Sequence, residues 1–417
     1  MILIFVLFSF FLMYIDYKEF KSIFTPFTVV SFPIVMIVLY AESIGRLRGY
    51  YSITLDTYTF LIFNFFLLWL PGQLVFFANS GNIKGIGEFE NIEIFIQKFG
   101  LILLFFLWIA ILSAFLDLFS FIRQYGIYIV TTETFEKNYG RGILGHLTLL
   151  GYPSFILLAS YVPPNINKKV TLISLFLMAF VIFVSQIKYH LILPLITIFI
   201  LKFFITKDKI KAYRNLVIAG ILISLIFAMT YFFTFTIAYG YSEALSSIGF
   251  ILKHFEHYIV SGPLALSKLL SDYRNIFSIK DLFVPLINIY QWLIGDEIYT
   301  TASRIELWIA ISETDSTNVG TMFAAIYLAL GYHGTLFFSL MIGIISYLIY
   351  YVAIRTRKVR WVLLNCWLMS ILILSFFSYY FNLLLIWEVA FYSWIIPILS
   401  SAFNQIFYFT KNQKGKF

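Results

Sequence analysis

The chain has 417 residues, 61% of them hydrophobic and 12% charged. A soluble domain of this length carries about a quarter charged residues, so most of the surface is expected to face lipid, and the net charge of +8 reads as membrane orientation bias, with no nucleic-acid partner expected. The single cysteine, Cys366, excludes an intrachain disulfide and a multi-cysteine metal site.

A helix needs about 17–25 apolar residues to cross a bilayer. In chain order, the apolar runs predict spans over 1–15, 23–40, 58–77, 99–119, 147–162, 170–186, 191–205, 216–233, 334–354, 361–378 and 384–408. The expected fold is therefore all-α: a polytopic membrane protein of about 11 transmembrane helices, between 10 and 12, with one large extracytoplasmic loop domain. Residues 1–15 read as an anchor and not a cleaved signal, because Lys18 and Lys21 follow the apolar run and no basic residue precedes it. The expected division is an N-terminal bundle over 1–233 with an outer loop at 120–146, a large loop over 234–333, and C-terminal helices with a basic tail over 334–417.

The basic residues set the expected orientation. Alternate loops, from Lys18 and Lys21 to Lys411, Lys414 and Lys416, hold 18 of the 29 and are expected to be cytoplasmic by the positive-inside rule. Residues 41–57, 120–146, 187–190 and the long interval 234–318 then face outward. Within that interval, helices are expected near 242–256, 262–271 and 281–294, the last apolar enough to lie on the membrane surface or against the bundle. The apolar run 319–354 would be about 54 Å long as one helix, against a hydrocarbon core of about 30 Å. A break at Gly331–Gly334 is expected, with 319–330 a half-helix lying along or dipping into the outer interface.

Four constellations could carry chemistry. His254, Glu256 and His257 lie in HFEHYIVSGPLALSKLL, residues 254–270. The two histidines are three apart, on one helical face, but no third ligand stands at a recognisable spacing, so no metal is expected. A solvated helix end stopped by Ser261–Gly262–Pro263 is the plain alternative to His257 or Glu256 accepting a proton. The outward arginines Arg123, Arg141, Arg274 and Arg304 could clamp phosphate oxygens bidentately, or simply be solvated. Arg304 lies in a strongly apolar context with Glu306 two residues on. Lys188 and His190 occupy the turn between two apolar runs, at the level of a lipid phosphate or snorkelling to the interface. Glu388 sits just inside the outer end of the last span, where an intramembrane carboxylate is a site candidate or, at so shallow a depth, simply meets headgroup water.

The segment TDSTNVGTMFAAIYLALGYHGTLFF, residues 314–338, resembles the C-terminal signature of bacterial Wzy-type O-antigen and capsule repeat-unit polymerases, through Asn318, Thr321, Tyr327, Gly331 and Gly334. Tyr258 and Gly262 are similar to a second stretch of that family's outer loop, and Lys188 stands where its short outer loop often has arginine. Ala329 departs from the family's common acidic residue. The resemblance implies a glycosyltransferase of the bacterial cytoplasmic (inner) membrane that joins undecaprenyl-pyrophosphate-linked glycans on the outer side. For that reaction the constellations above supply His257, Glu256 and Glu306 as candidate catalytic residues and Arg304, Arg274, Arg141, Arg123 and His190 as candidate substrate-binding residues, to which the resembling stretches add Lys188, Tyr258, Asn318 and Tyr327. No cofactor is implied, and a separate chain-length regulator protein is the implied partner beside membrane lipid. An O-antigen ligase-like transferase, a lipid-linked oligosaccharide flippase and a membrane O-acyltransferase remain rival readings. The absence of internal repeats weighs against an inverted-repeat transporter.

Overall fold

The structure is a computed structural model, described here over residues 1–79, 90–185, 187–206, 208–239, 248–272, 277–299 and 307–414. Most of the described residues are helical, and they add only a hairpin of two two-residue strands, so the class is all-α. The helices are α1 (Ile2–Phe20), α2 (Pro26–Tyr40), α3 (Leu55–Ala78), α4 (Glu90–Tyr125), α5 (Glu133–Asn138), α6 (Gly142–Leu150), α7 (Tyr152–Ser160), α8 (Lys168–Val184), α9 (Lys188–Ile205), α10 (Lys209–Tyr239), α11 (Ile248–Ser271), α12 (Ile279–Leu282), α13 (Val284–Ile294), α14 (Met322–Thr356), α15 (Val359–Ile373) and α16 (Leu384–Lys414). Strands β1 (Ile309–Ala310) and β2 (Ser316–Thr317) pair antiparallel.

Among the described residues, seven helices are long and apolar enough to cross a membrane: Pro26–Gly45, Leu55–Ala78, Asn91–Tyr125, Gly142–Ser160, Met322–Thr356, Val359–Phe376 and Leu384–Phe403. The chain is a multi-pass membrane protein by that measure. The other four predicted spans fall on α1, α8, α9 and α10. The 17 residues of α8 reach only about 26 Å at 1.5 Å each, and the last turns of α1 carry Asp16, Lys18 and Glu19.

Two compact units cut across the expected division by sequence. One comprises Met1–Ile86, Leu252–Arg355 and Ile371–Trp387; the other comprises Gly87–Ile251, Thr356–Ser370 and Glu388–Phe417. The large loop is therefore not a body of its own. Its described residues from Leu252 onward fold with the first three helices and α14.

In the first unit, α1, α2 and α3 pack on one another around a run of rings. Phe65 meets Phe5, Phe27 and Phe323, and Phe20 meets Tyr347 and Tyr350. Small residues let the backbones close: a Cβ on Gly343 would stand 2.6 Å from the Leu68 carbonyl oxygen. Some of the polar side chains buried between these helices are paired across them. Ser339 donates to Asn64 at 2.6 Å, and the fully buried Asp16 accepts from Thr25 and, at 2.6 Å, from Tyr347.

The predicted break is present. Within α14, Gly331 has φ 69° and ψ −170°, which divides the segment into two helices. That combination is essentially restricted to glycine. The piece before the break corrects one half of that expectation, because it is packed into protein and does not lie open along a surface. Met322, Phe323, Ala324, Ile326, Tyr327, Leu328 and Ala329 are all buried, and a helix apolar on every side belongs in a core. A second correction concerns Ser261–Gly262–Pro263, which does not stop a helix: α11 runs through it. Proline forfeits one backbone bond there, while Gly262 permits a contact that no other residue could make. A Cβ at that position would lie 2.0 Å from the Phe376 carbonyl oxygen.

In the second unit, α4 packs against α6, α7 and α8, and α9 packs against α7 and α10. Leu118, Ile129, Phe135 and Tyr139 close a small cluster where the chain leaves α4. Asp117 there accepts from the Gly140 amide at 2.8 Å.

Candidate functional site

In the first unit, three ion pairs gather where three segments meet. These are the loop after α2, the first half of α11, and the β1–β2 hairpin. The end of α2 widens into a π-helical turn over Ala41–Gly45, and Gly49, at φ 89°, reverses the chain. The loop is then fastened at both ends. The Tyr51 amide donates to the Ile311 carbonyl at 2.9 Å, beside a bridge between Tyr50 and Ser312. The Thr54 amide donates to Ser267 Oγ of α11 at 2.9 Å. Glu42 accepts from the Ile53 amide and pairs with Arg46 at 3.5 Å.

This scaffold delivers Arg48 to Glu256. The Glu256 carboxylate pairs with the Arg48 guanidinium through one oxygen and accepts from Tyr40 Oη at 2.7 Å through the other. Both oxygens are engaged, so the carboxylate holds Arg48 and Tyr40 together. The Arg48 side chain itself stays 58% exposed and keeps donors for an incoming group. Tyr50, buried beside Glu256, has its hydroxyl pushed up to about 12.

His257 is one residue on. Burial lowers its basicity below the ordinary histidine value, Asp315 opposes that shift, Lys253 adds to it, and the Ser316 carbonyl opposes it again. A neutral imidazole that donates to a carbonyl through one nitrogen presents a lone pair on the other. Asp315 pairs with Lys253 at 3.6 Å and accepts from Ser312 Oγ at 3.1 Å. Burial raises the Asp315 pKa, but the Ser312 bond and the Lys253 charge outweigh it and hold the carboxyl low. The His254 and His257 rings lie nearly parallel, 6.1 Å apart, and Tyr258 stands edge-on to His254 and stacks on Phe377 at 5.5 Å. One turn further, Gly262 lies beneath Thr321: a Cβ there would be 3.2 Å from Thr321 Cγ2.

The predicted residues divide as follows. Glu256, His257 and Tyr258 are brought together on α11. Asn318 is exposed just past β2, while Tyr327 is buried edge-on to Phe60, the environment of a core residue. Arg274, Arg304 and Glu306 lie outside the described residues. In the second unit, Arg123 is exposed in the last turn of α4 and Arg141 is the exposed N-cap of α6. His190 is half-buried with its ring 4.9 Å from that of Tyr189, and Lys188 opens α9. Glu388 has a partner that the sequence did not suggest: His146 Nδ1 stands 2.6 Å from its Oε1. Arg48, Tyr40, Tyr50 and Lys253 were also missed. The available signal was GRLRGYY, residues 45–51, two arginines and a tyrosine pair in a short loop between two apolar runs.

A family model described as a family of unknown function, DUF6337, matches residues 50–405. No curated protein and no solved structure matches the chain.

Proposed function

We propose that this chain, which belongs to the DUF6337 family of unknown function, is a membrane glycosyltransferase that polymerises lipid-linked oligosaccharide repeat units. The observation that carries the reading is His257. It is an imidazole held below its ordinary basicity beside the Lys253–Asp315 pair, one residue along α11 from the Glu256 that holds Arg48, on a multi-pass membrane protein. Two of the stretches that resemble repeat-unit polymerases also touch, Gly262 against Thr321.

In this reading an acceptor hydroxyl attacks the anomeric carbon of a glycan held on undecaprenyl pyrophosphate. The new glycosidic C–O bond forms as the bond to the pyrophosphate oxygen breaks. The hydroxyl proton passes to His257, and undecaprenyl pyrophosphate leaves as the anion. Arg48 and Lys253, with Arg274 and Arg304 of the same interval, offer the donors that a departing pyrophosphate needs. The proposed topology is eleven spans in the bacterial cytoplasmic membrane, with residues 41–57 and the large loop outside and the C-terminus inside. A chain-length regulator is the proposed protein partner.

The test is deletion of the gene, followed by complementation with the intact chain or with His257→Ala. Deletion should leave surface lipid bearing a single repeat unit, which the intact chain extends and the variant does not. Polymer stranded on the lipid carrier would point instead to a ligase. Glycan retained on the cytoplasmic side would point to a transporter. Either outcome overturns the proposal.

A further inference from the structure

Helix α13 turns an apolar stripe outward. Leu286, Ile289, Tyr290 and Leu293 fall at the i, i+3, i+4, i+7 spacing of one helical stripe, and all four are exposed, Leu293 at 68%. Trp292 beside them is 72% exposed. The opposite stripe, Val284, Ile287, Asn288 and Gln291, is turned toward the protein. Gln291 Oε1 accepts there from the Tyr299 amide at 2.7 Å, and Asn288 Oδ1 is buried with no partner among the described residues. In water this helix would have its faces reversed; against hydrocarbon they are correctly disposed.

We infer that α13 is a membrane-embedded in-plane helix whose outer stripe rests in the lipid of the bilayer surface. Its 11 residues reach about 16 Å, half of the roughly 30 Å core, so it cannot cross. Its entrance is tied to membrane-length chain: Phe283 packs on Phe338 of α14 at 5.7 Å, and α12 packs on the turn Tyr380–Asn382. Next to Phe338, Phe337 is exposed, as are Ile345 and Leu348 further along the same span. The lipid-facing surface of that span therefore continues onto α13. Trp292 and Tyr290 are the residue types that settle at the headgroup boundary, and beyond the left-handed cap at Gly295 the exposed Asp296 and Glu297 return the chain to water. A second protein is a poorer occupant, because the six exposed apolar side chains of α13, Ile294 included, are few against the roughly 20–30 residues a side of a stable interface. The inference stands apart from the glycosyl-transfer reading.

The test uses single cysteines in a Cys366→Ser background, the native thiol being buried. Leu293→Cys and Ile289→Cys are compared with Lys268→Cys, an exposed polar position of α11. Each carries an environment-sensitive fluorophore, and the full chain is reconstituted in phosphatidylcholine–phosphatidylglycerol vesicles. Emission at 289 and 293 should be blue-shifted from that at 268. Spin-labelled lipid should quench it several-fold more than iodide does, with the reverse order at 268. Iodide quenching at 293 equal to that at 268 would put the stripe in water, and shielding from both quenchers would put it under protein. Either result overturns the inference.

Discussion

At the scale of the residue, His257 is tuned by two neighbours of opposite sign, and this gives a test that a merely structural histidine would fail. A base must be unprotonated, so activity falls as pH drops through its pKa. Burial places that pKa below the ordinary 6.5, and the acid limb of the wild-type profile should lie below that value. Asp315 favours the imidazolium and Lys253 disfavours it. Asp315→Asn should therefore move the limb to lower pH and Lys253→Ala to higher pH, read from transfer rates on a lipid-linked repeat unit. Limbs that do not move, or move together, remove His257 from the base role. The Arg48–Glu256 pair makes a second prediction. Arg48 is largely exposed, so the pair should contribute only about 1 kcal/mol of coupling, measured by a double-mutant cycle of Arg48→Ala and Glu256→Gln on activity. If Glu256 serves chiefly to aim Arg48, the double variant should be hardly worse than Arg48→Ala alone, and full additivity would contradict it.

At the scale of the element, two glycines fix helices that the hydrophobic pattern alone would misdraw. Gly262 lets α11 pass the Phe376 carbonyl where a Cβ would approach to 2.0 Å. Gly262→Ala forces the helix away and should destabilise the fold by about 1–3 kcal/mol, seen as a lower thermal midpoint in detergent, with a larger loss for Gly262→Val. A midpoint unchanged in both would mean the contact is looser than the geometry implies. Gly331 is different in kind, since its neighbours matter less than its φ of 69° and ψ of −170°. Any side chain there costs about 1–3 kcal/mol of backbone strain, so Gly331→Ala should be impaired almost as much as Gly331→Val. Membrane insertion should survive in both, because each added group is apolar. Wild-type stability and activity in the alanine variant would show that the two halves of α14 can straighten.

At the scale of the whole molecule, the proposed topology has a direct check: in a Cys366→Ser background, an impermeant thiol reagent on intact cells should label Glu297→Cys and leave Lys169→Cys untouched. The reverse pattern would invert the membrane orientation. Several features were legible in the residues alone: the all-α class, the multi-pass character, the bend at Gly331 and the apolar nature of residues 284–294. These are local or additive properties. A run of Phe, Leu and Ile is apolar wherever it sits, and 36 residues of helix exceed a bilayer whatever packs beside them. Tertiary structure decided which groups meet. Glu256 read as a base until Arg48 and Tyr40, more than 200 positions away, engaged both its oxygens. Tyr327 read as a substrate contact until Phe60 covered it, and Glu388 had no partner until His146 reached it. Hydrogen bonds and ion pairs act over a few ångströms between chain segments whose proximity is set by the sum of all the packing. Composition and periodicity, which describe one segment at a time, hold no record of that proximity. The direction in which α13 faces belongs to the same kind: one stripe is wholly apolar or aromatic and the other mixes Val284 and Ile287 with Asn288 and Gln291, and only the contacts of Phe283 and Gln291 turned the first outward.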